Sequence, residues 1–282
     1  MEKCVFVFIT LLSCLLVYFA VQEIFYQCNI RYQLYRNLSK TKNGSKYIPK
    51  TIHQILIPDK TKIHRVFKNN VDYIKKLNPN WNHIIYDNND IDKYIKTNYG
   101  IQMLNIYNMI NPEYDAARAD FFRYLLMYKE GGVYLDIKSG MKYPLDLIIN
   151  EDDEYIISHW SGKPNAHLLD NKSGEFQQWH IICRPNHPYL KAVINNVISN
   201  ILNYDVKKDG VSKLGVLKVT GPIVYSKSIQ PILSQYNHTL YKANEYCGLI
   251  YNNLYNNIYL FSHTMFFNKK HYSNLSTPIV IK

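Results

Sequence analysis

The sequence predicts an α/β fold, and three observations point to it. Short apolar runs rich in β-branched and aromatic residues alternate with longer segments in which apolar residues recur every three or four positions. A helical pattern stops at Gly131, and a β-rich run starts almost at once at Val133. Hydrophobic residues make up 47% of the 282 residues, which is enough to bury a core. Strands and helices that alternate at these lengths are typical of α/β domains.

The first part of the chain contains two strand-like and three helix-like segments. Strands are predicted at residues 52–57 and 83–86, and helices over 62–77, 90–96 and 102–109. A long helix follows, with Asn111 expected as its N-cap and Pro112 at its first helical position. Gly131 occupies the position after a helix that glycine commonly fills in left-handed geometry.

The second part continues the alternation without an internal repeat. The remaining elements are strands near Val133, Tyr155 and Trp179, helices over residues 188–202 and 222–233, and a last β-rich run at 258–261.

The junction between the long helix and the next strand carries the most informative charges. Asp120 and Arg123 are three residues apart, so they share one face of a helix. Asp136 ends the β-rich run that follows the helix. In open α/β sheets, ligands bind beyond the carboxyl ends of strands. We therefore expect Asp120, Arg123 and Asp136 to converge on one ligand. The alternative for Asp120 and Arg123 is an exposed ion pair on a helix, which would contribute little to stability.

This junction resembles the donor site of glycosyltransferases that carry a DXD motif on a GT-A fold. It is most similar to glycosyltransferase family 32, which includes yeast initiating α-1,6-mannosyltransferases and capsular-polysaccharide sugar transferases, and more distantly to the glucosyltransferase domain of clostridial toxins. The resemblance extends over about residues 48–267. Its segments, in order, are residues 48–54, 78–81, 84–87, 118–136 and 220–222.

The resemblance implies a GT-A-like catalytic domain with a mixed central sheet flanked by helices. Its activity would be transfer of a sugar from a UDP- or GDP-linked donor to a hydroxyl of a glycan or glycolipid, with retention of anomeric configuration. A catalytically degenerate, glycan-binding paralogue is the alternative.

The resemblance also assigns roles to residues. Asp120 and Arg123 would bind donor sugar hydroxyls, Tyr134 would contact ribose or sugar, and Asp136 would hold ribose and a metal. His53 and Gln54, at the end of the first strand, are expected to face the nucleotide, although a packed strand-end histidine is nearly as common. Weaker expectations place Trp179, Gly221 and Pro222 on the acceptor side. The alternatives are that Trp179 packs in the core and that Gly221 and Pro222 form a turn without a functional role.

The motif itself departs from the family. It reads Asp136-Ile137-Lys138, whereas the second aspartate of DXD is the direct ligand of a divalent cation, usually manganese. A charged lysine cannot coordinate a cation. Three alternatives stay open: Asp136 and another ligand such as His263 retain the metal, Lys138 supplies the positive charge itself, or the donor site is degenerate.

The N-terminus is expected to be a membrane anchor. Residues 4–21 form an uncharged apolar stretch of about the minimum length for a membrane span. A cleavable signal is the main alternative, but no clear Ala-x-Ala site follows. The expected organisation is therefore a signal anchor at residues 1–26, a polar stem at 27–47 and the catalytic domain at 48–282.

The expected location is a Golgi- or ER-like lumen. The resemblance implies it and five Asn-x-Ser/Thr sequons agree with it, although an Asn-rich chain forms sequons by chance. Four basic residues that follow the span argue against it: Arg31, Arg36, Lys40 and Lys42. Cys28 could link two chains near the membrane, so a homodimer is a further expectation. Cys183 and Cys247 could pair in a lumenal domain, or stay buried thiols.

The charge favours anionic partners. The formal net charge of +11 suits nucleotide-sugars and membrane lipids. The sequence contains no compact Lys/Arg block and no recognised nucleic-acid module, so nucleic acid is not an expected partner.

Overall fold

The computed structural model describes residues 12–22, 24–25, 46–159, 175–241, 248–254 and 271–281. The expected β-rich run at 258–261, His263, Cys28, Cys247 and most of the stem lie outside these ranges. Residues 12–22 form an exposed helix, α1. Among the described residues, no helix has the length and apolar character needed to cross a membrane.

Eight strands and eight further helices build the described part of the chain. The strands are β1 (Thr51–Ile55), β2 (Asn82–Tyr86), β3 (Gly132–Leu135), β4 (Gly140–Met141), β5 (Tyr155–Ser158), β6 (His180–Cys183), β7 (Thr239–Tyr241) and β8 (Leu249–Ile250). The helices are α2 (Arg65–Leu77), α3 (Asn88–Tyr99), α4 (Ile101–Asn108), α5 (Asp115–Glu130), α6 (Pro188–Leu202), α7 (Val206–Asp209), α8 (Ser212–Val219) and α9 (Pro222–Ile229).

A mixed six-stranded sheet forms the centre of the fold, in the order β2-β1-β3-β6-β5-β7. β1 runs parallel to both β2 and β3, whereas β6 is antiparallel to β3 and β5. Strands β4 and β8 form a separate antiparallel pair. The predicted mixed central sheet flanked by helices is therefore confirmed.

The sheet has a core on each face because successive side chains of a strand point to opposite sides. Tyr134 packs into the larger core, which contains the buried side chains of α3 to α6, α8 and α9. Val133 and Leu135 pack into the smaller core, together with Trp179. Helix α5 is buried along most of its length, and its buried residues include the charged Asp120 and Arg123.

The junction that ends α5 forms as the sequence predicts. The amide of Gly131 donates to the carbonyl of Met127, and Gly131 has a φ of 65°. A β carbon at this position would lie 2.6 Å from the backbone nitrogen of Pro185. Glycine is therefore required both for the conformation and for the close approach.

Several predicted helix boundaries differ from the structure, and for two of them the structure shows the physical reason. Helix α5 begins at Asp115 rather than at Pro112, because the Asn111 side chain accepts from the Glu113 amide in a preceding turn and donates to the Pro278 carbonyl. Helix α9 ends at Ile229 and continues as a 3₁₀ segment, Gln230–Gln235, since Pro231 has no amide hydrogen to continue an α-helix.

Cys183 is a free, buried thiol in β6. Its sulfur donates to the carbonyl of Met127 at 3.7 Å. Of the two alternatives for this residue, the structure therefore shows the buried thiol.

Candidate active site

A buried arginine joins two carboxylates at the carboxyl end of β3. The Nη2 atom of Arg123 lies 2.9 Å from Oδ1 of Asp120, one turn earlier on α5. Its Nη1 atom lies 3.1 Å from Oδ1 of Asp136, the first residue after β3. The short connection through two glycines folds β3 back along α5, so the structure brings these three side chains together.

Polar groups from two distant segments fix the inner part of this network. Gln178 accepts from Nη1 of Arg123 through its carbonyl at 2.9 Å and donates from Nε2 to Oδ1 of Asp120 at 3.1 Å. The hydroxyl of Thr220 donates to Oδ2 of Asp120 at 3.2 Å. Both carboxylate oxygens of Asp120 therefore have partners, as a buried charge requires.

Tyr134 supports the outer part of the network. Its hydroxyl donates to Oδ1 of Asp136 at 2.9 Å. The guanidinium carbon of Arg123 lies 4.7 Å from the centre of the Tyr134 ring, within the range of a cation–π contact. Arg123 is thus held on its edges by carboxylates and on its face by an aromatic ring.

The network is graded from a buried interior to an open edge. The exposed fraction of the side chain is 6% for both Asp120 and Arg123 but 21% for Asp136. Burial raises the pKa of Asp120 to about 6, against the opposing effect of the Arg123 charge. The interpretation of Asp120 and Arg123 as an exposed helical ion pair is therefore wrong, and Asp136 is the carboxylate that faces outward.

The loop that follows Asp136 is held by a buried asparagine on α2. Nδ2 of Asn70 donates to the carbonyls of Ile137 at 3.1 Å and Ser139 at 2.8 Å. Its Oδ1 accepts from the side chain of Asn253 at 2.8 Å. Asn70 therefore connects the motif loop to the segment around β8.

The same segment completes the backbone hydrogen bonds of the loop. The amide of Asn253 donates to the carbonyl of Lys138 at 2.9 Å, and the Ser139 hydroxyl donates to the carbonyl of Tyr251 at 2.7 Å. The Asp136 carbonyl accepts from the Ser139 amide at 2.8 Å. Four consecutive carbonyls, 136–139, are thus bonded, so the loop is held in one conformation.

Lys138 lies beside Tyr251, a residue that no sequence pattern indicated. Its Nζ donates to the hydroxyl of Tyr251 at 2.9 Å, and the Tyr251 ring lies 5.5 Å from that of Trp179. Burial raises the pKa of Tyr272, and the charges of Asp120 and Asp136 raise it further, whereas the charge of Lys138 lowers it. Tyr251 therefore borders the motif from the C-terminal part of the chain.

His53 and Gln54 support the site from within. Nδ1 of His53 lies 3.2 Å from the Tyr86 hydroxyl, and burial lowers the pKa of His53 to about 4, which leaves it neutral at pH 7. Gln54 accepts from His83 at 2.8 Å and donates to the Asp136 carbonyl at 3.3 Å. Both side chains are buried, and Gln54 helps to position Asp136 through its hydrogen bond. Direct contact of His53 or Gln54 with a nucleotide stays a prediction.

Of the expected acceptor-side residues, Trp179 and Gly221 are buried and Pro222 is half-buried. Trp179 is 3% exposed and belongs to the smaller core, so the structure favours a core tryptophan over a cleft-lining one. Gly221 precedes α9, which Pro222 begins, and a β carbon on Gly221 would lie 2.8 Å from the Cα of Leu217. The neighbouring residue, Thr220, is the one that reaches Asp120.

The described residues do not fit the expected manganese site. Among them, no three His, Cys, Asp or Glu side chains are grouped as metal ligands. Oδ1 of Asp136 already binds Arg123 and Tyr134, and Lys138 occupies the position of the second aspartate. The other expected ligand, His263, lies outside the described residues and stays a prediction.

Comparison with known proteins gives one family match and several similar proteins. Residues 64–155, which include the whole charged junction, match the family described as "glycosyltransferase sugar-binding region containing DXD motif". The predicted resemblance is confirmed.

Two mannosyltransferases are among the similar curated proteins. Inositol phosphoceramide mannosyltransferase 3 of Schizosaccharomyces pombe is 28% identical over 65% of this chain and 45% of its own length. An initiation-specific α-1,6-mannosyltransferase of Candida albicans is 26% identical over 66% of this chain and 53% of its own.

The chain therefore spans about half the length of these curated relatives. A solved structure named PaToxG glycosyltransferase is also similar, at 19% identity and a TM-score of 0.49 over 77% of this chain and 79% of that one.

Proposed function

We propose that this chain transfers a sugar from a UDP- or GDP-linked donor to a hydroxyl of a glycan or glycolipid, with retention of anomeric configuration. The observation that carries the proposal is the buried bridge from Asp120 through Arg123 to Asp136, inside the region that matches the sugar-binding family. The names of the relatives make mannosyl donors the first to test.

The network suits such a donor because it is fixed before the ligand arrives. A sugar presents hydroxyls that donate to carboxylates, and Asp136 offers a partly exposed carboxylate whose position Arg123 and Tyr134 already set. Prior orientation lowers the entropic cost of bringing the anomeric carbon to an acceptor hydroxyl. In this proposal Arg123 and Asp120 would lie behind Asp136 and keep its carboxylate in position for the sugar.

Charge must also be supplied for the leaving nucleoside diphosphate. Manganese held by Asp136 and His263 is the expectation that follows from the resemblance. No step of the proposal depends on it, since the described residues do not form such a site.

Membrane attachment, lumenal location and dimerisation are further proposals. Attachment is supported by the exposed apolar side chains of α1, which include Leu12, Leu15, Leu16, Val17 and Phe19. Fractionation of the full chain with carbonate washing, followed by glycosidase treatment, tests attachment and lumenal location together. Gel filtration in detergent tests the homodimer expected from Cys28.

The deciding experiment is turnover with a panel of UDP- and GDP-sugars, read as release of the nucleoside diphosphate. We expect at least one donor to be hydrolysed or transferred. If no donor is turned over and glycans still bind, the glycan-binding alternative replaces this proposal.

A further inference from the structure

Lys138 changes the charge of the motif by the amount that a divalent cation would supply. Aspartate at this position would carry −1 and lysine carries +1, so the difference is +2. With Asp136, Asp120 and Arg123 ionised, an aspartate would leave the group at −2, whereas Lys138 brings it to zero. With Lys138 the group therefore has the same net charge as an Asp-x-Asp group would have with a bound divalent cation.

The ammonium group of Lys138 is held in a defined position beside the motif. The Lys138 backbone is fixed by Asn253, and its Nζ is directed by the Tyr251 hydroxyl. The Tyr251 ring lies 5.5 Å from that of Trp179, whose carbonyl accepts from the Asp136 amide at 2.9 Å, so one chain of contacts connects Lys138 with Asp136. Lys138 is also partly exposed, as a group that meets a ligand must be.

We propose that Lys138 binds the diphosphate of the donor in place of a divalent cation, so that this chain binds nucleoside diphosphates without metal. This inference rests on the proposed function. An ammonium is a competent partner for phosphate because it donates three charge-assisted hydrogen bonds. The hydroxyl of Tyr251, 2.9 Å from the Lys138 Nζ, would be a further donor to phosphate oxygens.

The direct test is calorimetric titration of the full chain with UDP and with GDP, in EDTA and separately in manganese. We expect the dissociation constant of the preferred nucleotide to agree within about twofold between the two conditions, since the charge comes from the protein. Binding that vanishes in EDTA and returns with manganese would overturn the inference.

Four variants separate the charge of Lys138 from other effects. Lys138→Ala should weaken binding about tenfold or more, because a charge-assisted hydrogen bond is lost. Lys138→Arg should stay within about threefold of wild type, since the charge remains. Lys142→Ala, at an exposed lysine of the same segment, should bind as wild type. Thermal unfolding confirms that each variant is folded.

Lys138→Asp gives the sharpest comparison because it restores the Asp-x-Asp spacing. Its binding should be lost in EDTA, whether or not manganese rescues it. Undiminished binding by Lys138→Asp or Lys138→Ala in EDTA would contradict the role of Lys138.

Failure of the inference can be told from failure of the proposed function. If the wild-type chain binds neither UDP nor GDP in either condition, the proposed function itself is wrong. If it binds only with manganese, the transferase proposal stands and only the assignment of Lys138 is wrong.

Discussion

Arg123 lies on helix α5 and Asp136 directly follows strand β3, and yet their side chains are 3.1 Å apart at the carboxyl end of β3. The glycine junction turns β3 back along α5, and this places an arginine of the helix over the residue that ends the strand. Removing one partner of a buried ion pair leaves an uncompensated charge.

Arg123→Ala should therefore lower both stability and activity. It leaves two carboxylates near each other without a cation, and a loss of about 3–5 kcal/mol in the free energy of unfolding is expected for a broken buried pair. Urea unfolding measures it. Arg184→Ala is the control because its pair with Glu154 is partly exposed and should contribute about 0–1 kcal/mol. Equal losses in both variants would contradict the buried network.

Asp120 should impose an acid limit on catalysis. Its pKa is raised to about 6 by burial, so kcat/KM should fall as the pH drops through this value and the carboxylate is protonated.

The contribution of Asp120 to the free energy of unfolding should change with pH in the opposite direction to its contribution to kcat/KM. The folded pKa lies above the unfolded one, so the contribution of Asp120 to stability is complete below the unfolded pKa and is lost as the pH rises through about 6. A pH profile of kcat/KM and unfolding curves at several pH values check both signs.

Thr220→Val should move this acid limit to higher pH. The Thr220 hydroxyl donates to ionised Asp120 and so lowers its pKa; without this hydrogen bond the carboxylate takes up a proton more readily. The shift is read from the same pH profile. An unchanged limit would mean that Asp120 does not set it.

Asn70→Ala should reduce turnover although Asn70 touches no expected ligand. The substitution leaves the carbonyls of Ile137 and Ser139 without their donor, at an expected cost of about 1–3 kcal/mol in unfolding free energy. The loosened loop should lower kcat by about tenfold, in keeping with the sensitivity of catalysis to small displacements. Asn203→Ala, at an exposed asparagine, is the control and should change neither quantity. Wild-type turnover in Asn70→Ala would contradict a positioning role.

The sequence predicted the local parts of this structure well. Helix α6 spans the predicted residues 188–202, and the α5–β3 junction forms where the glycines indicate. These features depend on neighbouring residues, whose periodicity and capping preferences can be read directly. The meeting of Asp120, Arg123 and Asp136 was predictable for the same reason, since all three lie within 17 consecutive residues.

The supporting residues could not be found this way. Gln178, Thr220 and Asn253 reach the junction from segments far along the chain, and only the sheet order brings them there. Asn70 is one of many asparagines, and no local pattern distinguishes it. Asn111 shows how a distant contact can defeat a local prediction. It has the residue type of an N-cap, but its side chain donates to the Pro278 carbonyl and the helix begins at Asp115.

The central claim is that Asp136 forms the open edge of a pocket for a nucleotide-sugar. Its most direct test is release of nucleoside diphosphate from a panel of UDP- and GDP-sugars by wild type and Asp136→Asn, in parallel with thermal unfolding. We predict turnover of at least one donor by wild type and a loss of about 100-fold or more in the variant, with the fold retained because Arg123 keeps Asp120 as its partner. Equal turnover by a folded Asp136→Asn variant would contradict the account.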